Sequence, residues 1–193
     1  MNKTRTATAA VLAVTVATLL AADTITGLIR VESSITKTKA GTISTVTETL
    51  VNSYKWGGTG ALGTGTTAAA MSVLYVASGS LAAGGTNTLD LYGSVQDNFG
   101  ATVNLTRVKW LQLSPSNSMT TAQSVLMRPA PANGFATWMT GTNDALRVFA
   151  GGTVAIMAPA TNAYAVTEST GDLLDIVNES TNTTTYTLIV GGQ

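Results

Sequence analysis

The sequence predicts an all-β protein: an antiparallel β-sandwich of Greek-key or jelly-roll type with an extended or short helical N-terminal arm. Three observations predict it. Short runs rich in Val, Ile, Thr and Tyr recur along the chain, each bounded by Gly, Asn, Asp or Pro. Clear helical periodicity is missing from residue 41 onward. The chain is 193 residues long, enough to bury one good core with an appended arm. The division expected is an arm over 1–40 and a sandwich over 41–193.

The arm is an uncharged apolar run from Ala7 to Ala22, preceded by Lys3 and Arg5. This is the outline of a secretory signal. Leu19 or Leu20 would fall where cleavage wants a small residue, so the run is expected to be retained. It is also shorter than the roughly 20 residues a membrane-spanning helix needs, and no membrane partner is expected. Ala13–Thr18 alternates like a strand, while Ala9–Leu20 is equally suited to a helix. In either form, an apolar segment that is neither cleaved nor spanning needs protein to cover it. The expected docking residues are Val11, Leu12, Val14, Val16, Leu19 and Leu20; otherwise the segment is the first element of the core.

Candidate strands follow at Thr42–Val51, Met71–Ala77, Ser80–Leu91, Thr102–Leu113, Gln123–Met127, Leu146–Ala150, Thr153–Ala158, Ala163–Glu168, Leu173–Asn178 and Thr184–Val190. In Thr102–Leu113, Val103, Leu105, Leu111 and Leu113 share one parity and Val108 and Trp110 the other. The phase slips near Arg107, which predicts a bulge, a bend or burial on both sides. In Thr184–Val190, Tyr186, Leu188 and Val190 face one way. Ala83-Gly84-Gly85-Thr86 has the composition of a hairpin turn. Asn98-Phe99-Gly100, Ala132-Asn133-Gly134, Ser169–Asp172 and Gly151-Gly152 are further turn signals. Trp56–Thr67 is a long Gly/Thr loop, of the kind that often contacts neighbours.

Chemistry is constrained by what the chain lacks. It has no histidine and no cysteine, so it holds no imidazole to shuttle protons and no thiolate nucleophile. The N and S ligands of zinc or copper sites are missing too. Charged residues make up 10% and balance to zero, against about 25% in an ordinary soluble domain. Ten basic residues offset by ten acidic ones supply no net field for nucleic acid. The nearest to a basic group, Arg107, Lys109, Lys37 and Lys39, reads as scattered solvated charge. A surface with so little charge and no mutual repulsion favours stable assembly with other subunits.

The remaining motifs have ordinary readings. Gly58–Gly63 matches G-x-G-x-x-G, but no helix opens after it and no acidic residue follows at the right distance. Serine has only Lys55 or Lys109 for a base, and no nucleophile elbow is present. The pairs Asp90/Asp97 and Asp172/Asp175 fall at or near turns, where Asp commonly caps its own backbone. Trp110 belongs to a strong strand and reads as core. Trp56 and Trp138 flank Gly- and Thr-rich segments and are expected to be exposed interaction anchors. Sequons at Asn104, Asn178 and Asn182 are chance matches in a Thr-rich chain. No catalytic residue, cofactor or metal is expected.

Two stretches carry a resemblance. One is Leu89–Val103 (LDLYGSVQDNFGATV), followed by Arg107-Val108-Lys109. The other runs from Val148 to Gly191, through VFAGGTVAIMAP, AYAVTESTGDLLDIVNES and TYTLIVGG. Together they resemble small virion-associated β-sandwich proteins of tailed bacteriophages, over roughly Met71 to Gln193. The resemblance implies a structural component of a virus particle and no catalytic residue; the first 40 residues lie outside it. The expectation is therefore a virion protein that partners copies of itself and other virion proteins (a major capsid or tail protein) as a homo-oligomer. It would be a capsid decoration, cement or head-spike-base subunit. The alternatives are a tail or fibre-attachment subunit, or a host-surface or carbohydrate-binding module.

Overall fold

The computed structural model describes residues 29–40 and 45–56 by their backbone, and residues 70–97, 99–115, 124–149 and 151–193 in full. Every strand pair in the named ladders is antiparallel, and no helix occurs among the described residues. The first two strands, β1 (Ile29–Ala40) and β2 (Thr45–Trp56), pair along their whole length, from Ile29 opposite Trp56 to Ala40 opposite Thr45. The expected division at residue 40 falls between these two strands. Residues 29–40 are extended; the apolar run 7–22 and its six expected docking residues lie outside the described residues.

The body consists of two main sheets. One has the order β10 (Val154–Met157), β7 (Arg107–Pro115), β13 (Thr184–Gly192), β3 (Val73–Leu81), with β11 (Tyr164–Ala165) also pairing β7. The other has the order β4 (Thr86–Asp90), β12 (Leu173–Asn178), β8 (Ser124–Pro129), β9 (Leu146–Phe149). A short pair, β5 (Tyr92–Gln96) and β6 (Thr102–Asn104), lies between β4 and β7 in the chain.

Alternation puts one side of each sheet into a shared core. Leu111, Leu113, Leu188, Val190 and Tyr186 come from the first sheet; Leu89, Leu174, Ile176, Val125, Met127 and Val148 come from the second. This is compatible with the expected sandwich. Each fully buried aliphatic side chain contributes roughly 1.5–3 kcal/mol relative to exposure. The parity read for Tyr186, Leu188 and Val190 is the buried one.

Two expectations need correction. Ala83–Thr86 turns the chain, with Gly85 N–H donating to Ala82 O at 2.9 Å. It does not join a hairpin, because β3 pairs β13 while β4 pairs β12. Turn chemistry reports a reversal of direction, and that reversal carries the chain from one sheet to the other. The runs Ser80–Leu91 and Thr102–Leu113 each divide in two. The second divides at Leu105-Thr106, as its slipped phase predicts, and a bulge follows. Trp110 lies opposite Gly191 and Val108 opposite Gly192, making Lys109 the extra residue. A Cβ on Gly192 would overlap the Arg107 carbonyl oxygen, so the chain approaches there as only glycine allows.

Candidate interaction surface

The carboxylates are engaged structurally. Asp97 Oδ1 accepts the N–H groups of Phe99 and Ala101, both at 2.9 Å, and closes the β5–β6 turn. Asp90 Oδ1 accepts Tyr92 N–H at 2.8 Å, and Asp172 Oδ2 accepts Ser169 N–H at 2.6 Å. Asp175 accepts the Thr88 hydroxyl at 2.6 Å and faces Arg128 at 3.6 Å. Among the described residues no group of three or more acidic side chains is placed to hold a metal ion.

Trp138 is buried, 8% exposed, which overturns its expected exposure. Its Nε1–H donates to Phe135 O at 2.7 Å, and its ring centroid lies 6.4 Å from that of Phe135. A nearby Gly- and Thr-rich stretch gave no information about the pocket the ring fills. Trp56 ends β2 opposite Ile29, and its side chain lies outside the described residues. Trp110, read as core, is half-buried on the outer side of its sheet, and its Nε1 has no hydrogen-bond partner among the described residues. The Gly58–Gly63 string also lies outside the described residues.

Lys109 was expected among solvated charges; it is instead fully covered, with Nζ donating to Ala70 O at 2.8 Å. It is the extra residue of the bulge, and its amine reaches the backbone just before β3. Burial, followed by the neighbouring Arg107 charge, lowers the pKa of its ammonium. Burial and Tyr186 raise that of the Tyr75 phenol. Asn178 is buried too. Its Nδ2 donates to the carbonyls of Ala82 and Asn182, both at 2.8 Å, and its Oδ1 accepts Ser180 N–H at 2.9 Å. That sequon is thus a structural asparagine.

What remains on the surface is two sheet faces of different character. The outer side of the β4-β12-β8-β9 sheet is charged and cross-linked. Arg128 meets Asp175. Arg147 makes two contacts of 2.8 Å to Glu179, which also accepts the Ser124 hydroxyl at 2.6 Å. The outer side of the β10-β7-β13-β3 sheet has three successive ladder rows without charge; Arg107 lies beyond them, in a row with Ala165 of β11. Register lines up Leu74, Gly191, Trp110 and Met157 in one row, and Val76, Ile189, Gln112 and Ala155 in the next. Ser78, Thr187 and Ser114 form the third. The apolar side chains thus collect at one end of this face and hydroxyls at the other.

Sequence reasoning missed this face, because the signal is spread over four strands distant in the chain. It also missed Phe99, 89% exposed at the β5–β6 turn, and Phe149, 55% exposed on β9. An aromatic in a turn such as Asp97–Gly100 was the available clue for Phe99. Compared with protein-family models, curated proteins and solved structures, the chain matches none.

Proposed function

We propose that the chain is a structural subunit of a bacteriophage particle, a capsid decoration, cement or head-spike-base protein that works by contact with copies of itself and with other virion proteins. The observation that carries the reading is the set of three uncharged rows on the outer face of the β10-β7-β13-β3 sheet, in a chain whose charges are few and partly spent on the opposite sheet. A subunit interface confined to those rows would desolvate no ion. Buried there, apolar surface stabilises at roughly 25 cal/mol per Å2, and many symmetric copies add avidity.

The strand order supports a jelly-roll form of the sandwich. Eight strands divide as β3-β13-β7-β10 and β4-β12-β8-β9, and among these eight the chain changes sheet at every step except β8 to β9. Viral capsid and lectin domains use such double sheets; a shared fold is analogy, not function. The two stretches that resemble phage virion proteins add to the reading. The buried Trp138 removes one of the two rings, Trp56 and Trp138, on which a sugar-binding reading leaned.

The test is location. Antibody against this chain should label purified particles at regularly spaced sites on the head, and a low-resolution particle map should show matching density. Absence of the chain from purified particles would sink the proposal.

A further inference from the structure

Strand β3 is the one long, unguarded sheet edge among the described residues. It spans nine residues, Val73–Leu81, with sequence VLYVASGSL. It pairs β13 continuously on one side and ends the sheet on the other. Proteins usually blunt such edges by shortness, charge, proline or bulges. The other three ends of the two main sheets follow that practice. β4 has five residues and ends in Asp90, β9 has four and carries Arg147, and β10 has four with Pro159 shortly after it. β3 has no charge, no proline and no register shift.

We infer that the β3 edge pairs with the β3 edge of a second copy, antiparallel about a two-fold axis at Ala77, joining two five-stranded sheets into one. The occupant is argued from the strand's own pattern. Pairing about Ala77 sets Leu74 against Ser80, Tyr75 against Gly79 and Val76 against Ser78. Large side chains fill the first half of the strand and small ones most of the second, so each of these large groups meets a small one in the partner. A like-charge clash across the axis, which would penalise self-pairing, does not arise in an uncharged strand. The apolar rows at Leu74 and Val76 would each run into a hydroxyl row of the partner, at Ser80 and Ser78.

This inference rests on the structural-subunit reading and names its contact. Because the chain has no cysteine, a single introduced thiol reports register directly. Ala77→Cys places two sulfurs at the axis, where opposed Cα atoms lie about 4.5–5.5 Å apart, within disulfide reach. Ser80→Cys places them six residues apart along the paired strands, about 20 Å. Under mild oxidation the full-length Ala77→Cys protein should become mostly covalent dimer and Ser80→Cys should stay monomeric. Wild-type protein should sediment at twice 19.7 kDa, and Ser78→Lys, at an exposed position, should return it to 19.7 kDa. Mixing Ser78→Lys with Ser78→Glu should restore the dimer.

A wild-type monomer throughout a dilution series overturns the pairing. So does equal cross-linking of both thiol variants, or an oligomer indifferent to Ser78→Lys. Circular dichroism confirms that each variant keeps its β-structure. A chain that fails these tests yet is found in purified particles loses the pairing and keeps the proposed function. A paired chain absent from particles does the reverse.

Discussion

Tyr186 lies across Gly79. A methyl group at Gly79 would stand 2.5 Å from the ring's Cζ, and the phenol oxygen accepts Asn87 Nδ2–H at 2.6 Å from the facing sheet. The ring thus needs an empty position beside it in its own sheet and a donor across the core. Gly79→Ala should cost about 1–3 kcal/mol by overpacking. Tyr186→Phe should cost about 1 kcal/mol for the lost hydrogen bond. Urea denaturation measures both; a neutral Gly79→Ala would show that the ring has room to move.

Gly192 should be less replaceable still. Its missing Cβ leaves space for the Arg107 carbonyl and Leu105 at the bulge, and relief requires moving backbone. Gly192→Ala should reach or exceed the upper end of the roughly 1–3 kcal/mol overpacking range and destabilise more than Gly79→Ala. Thermal melts of the two variants side by side give the ranking.

Asp97 should matter for stability alone. Asp97→Ala removes both acceptor contacts that close the β5–β6 turn and should cost about 1 kcal/mol. Asp97→Asn keeps an acceptor oxygen and should recover part of the loss. Amide exchange at Phe99 and Ala101 should quicken in the alanine variant; unchanged exchange would contradict the assignment.

Lys109 sets a pH dependence. Its folded pKa is lowered, first by burial and then by Arg107, so the unfolded chain holds the proton over a range where the folded chain releases it. Stability then rises with pH between the lowered folded value and the ordinary lysine value. Relative to Lys109→Met, wild type should gain stability over that alkaline window and show no such gain below it. Tyr75 acts in the opposite direction. With its pKa raised, the unfolded chain ionises first and stability falls as pH climbs past about 10, a fall that Tyr75→Phe should abolish. Denaturation series from neutral to alkaline pH separate the two signs.

The arm expectation needs a cut that spares the β1–β2 pair. Deleting residues 1–40 removes one strand of two; deleting residues 1–28 leaves both. The shorter deletion should give a folded protein that no longer enters particles. Normal incorporation would end the docking role of the apolar run.

Legibility followed the range of the physics involved. Strand positions such as Leu173–Asn178, and the inward parity of Leu188, were readable because alternation acts between near neighbours. The break after Asn104 was readable as a slipped phase. Sheet membership was not: Gly84-Gly85 encodes a reversal whether the next strand joins the same sheet or the other. Trp138 shows the same limit, since its burial is decided by Phe135 and the surrounding core. Lys109 is the sharpest case, as nothing in a lysine between Val108 and Trp110 announces that it will be covered and bonded to the Ala70 carbonyl. The uncharged rows of the outer face were half-visible, as a chain-wide shortage of charge without a location.

β13 is inserted between two strands that lie far before it in the chain. β13 occupies the middle of its sheet with β3 on one flank and β7 on the other. Without residues 184–192, β3 would have no ladder among the described residues, and β7 would keep only β10 and β11. The sheet therefore cannot close by zipping neighbours in chain order: one late segment joins two earlier ones that never touch in a ladder, and damage to it would part the sheet down its middle.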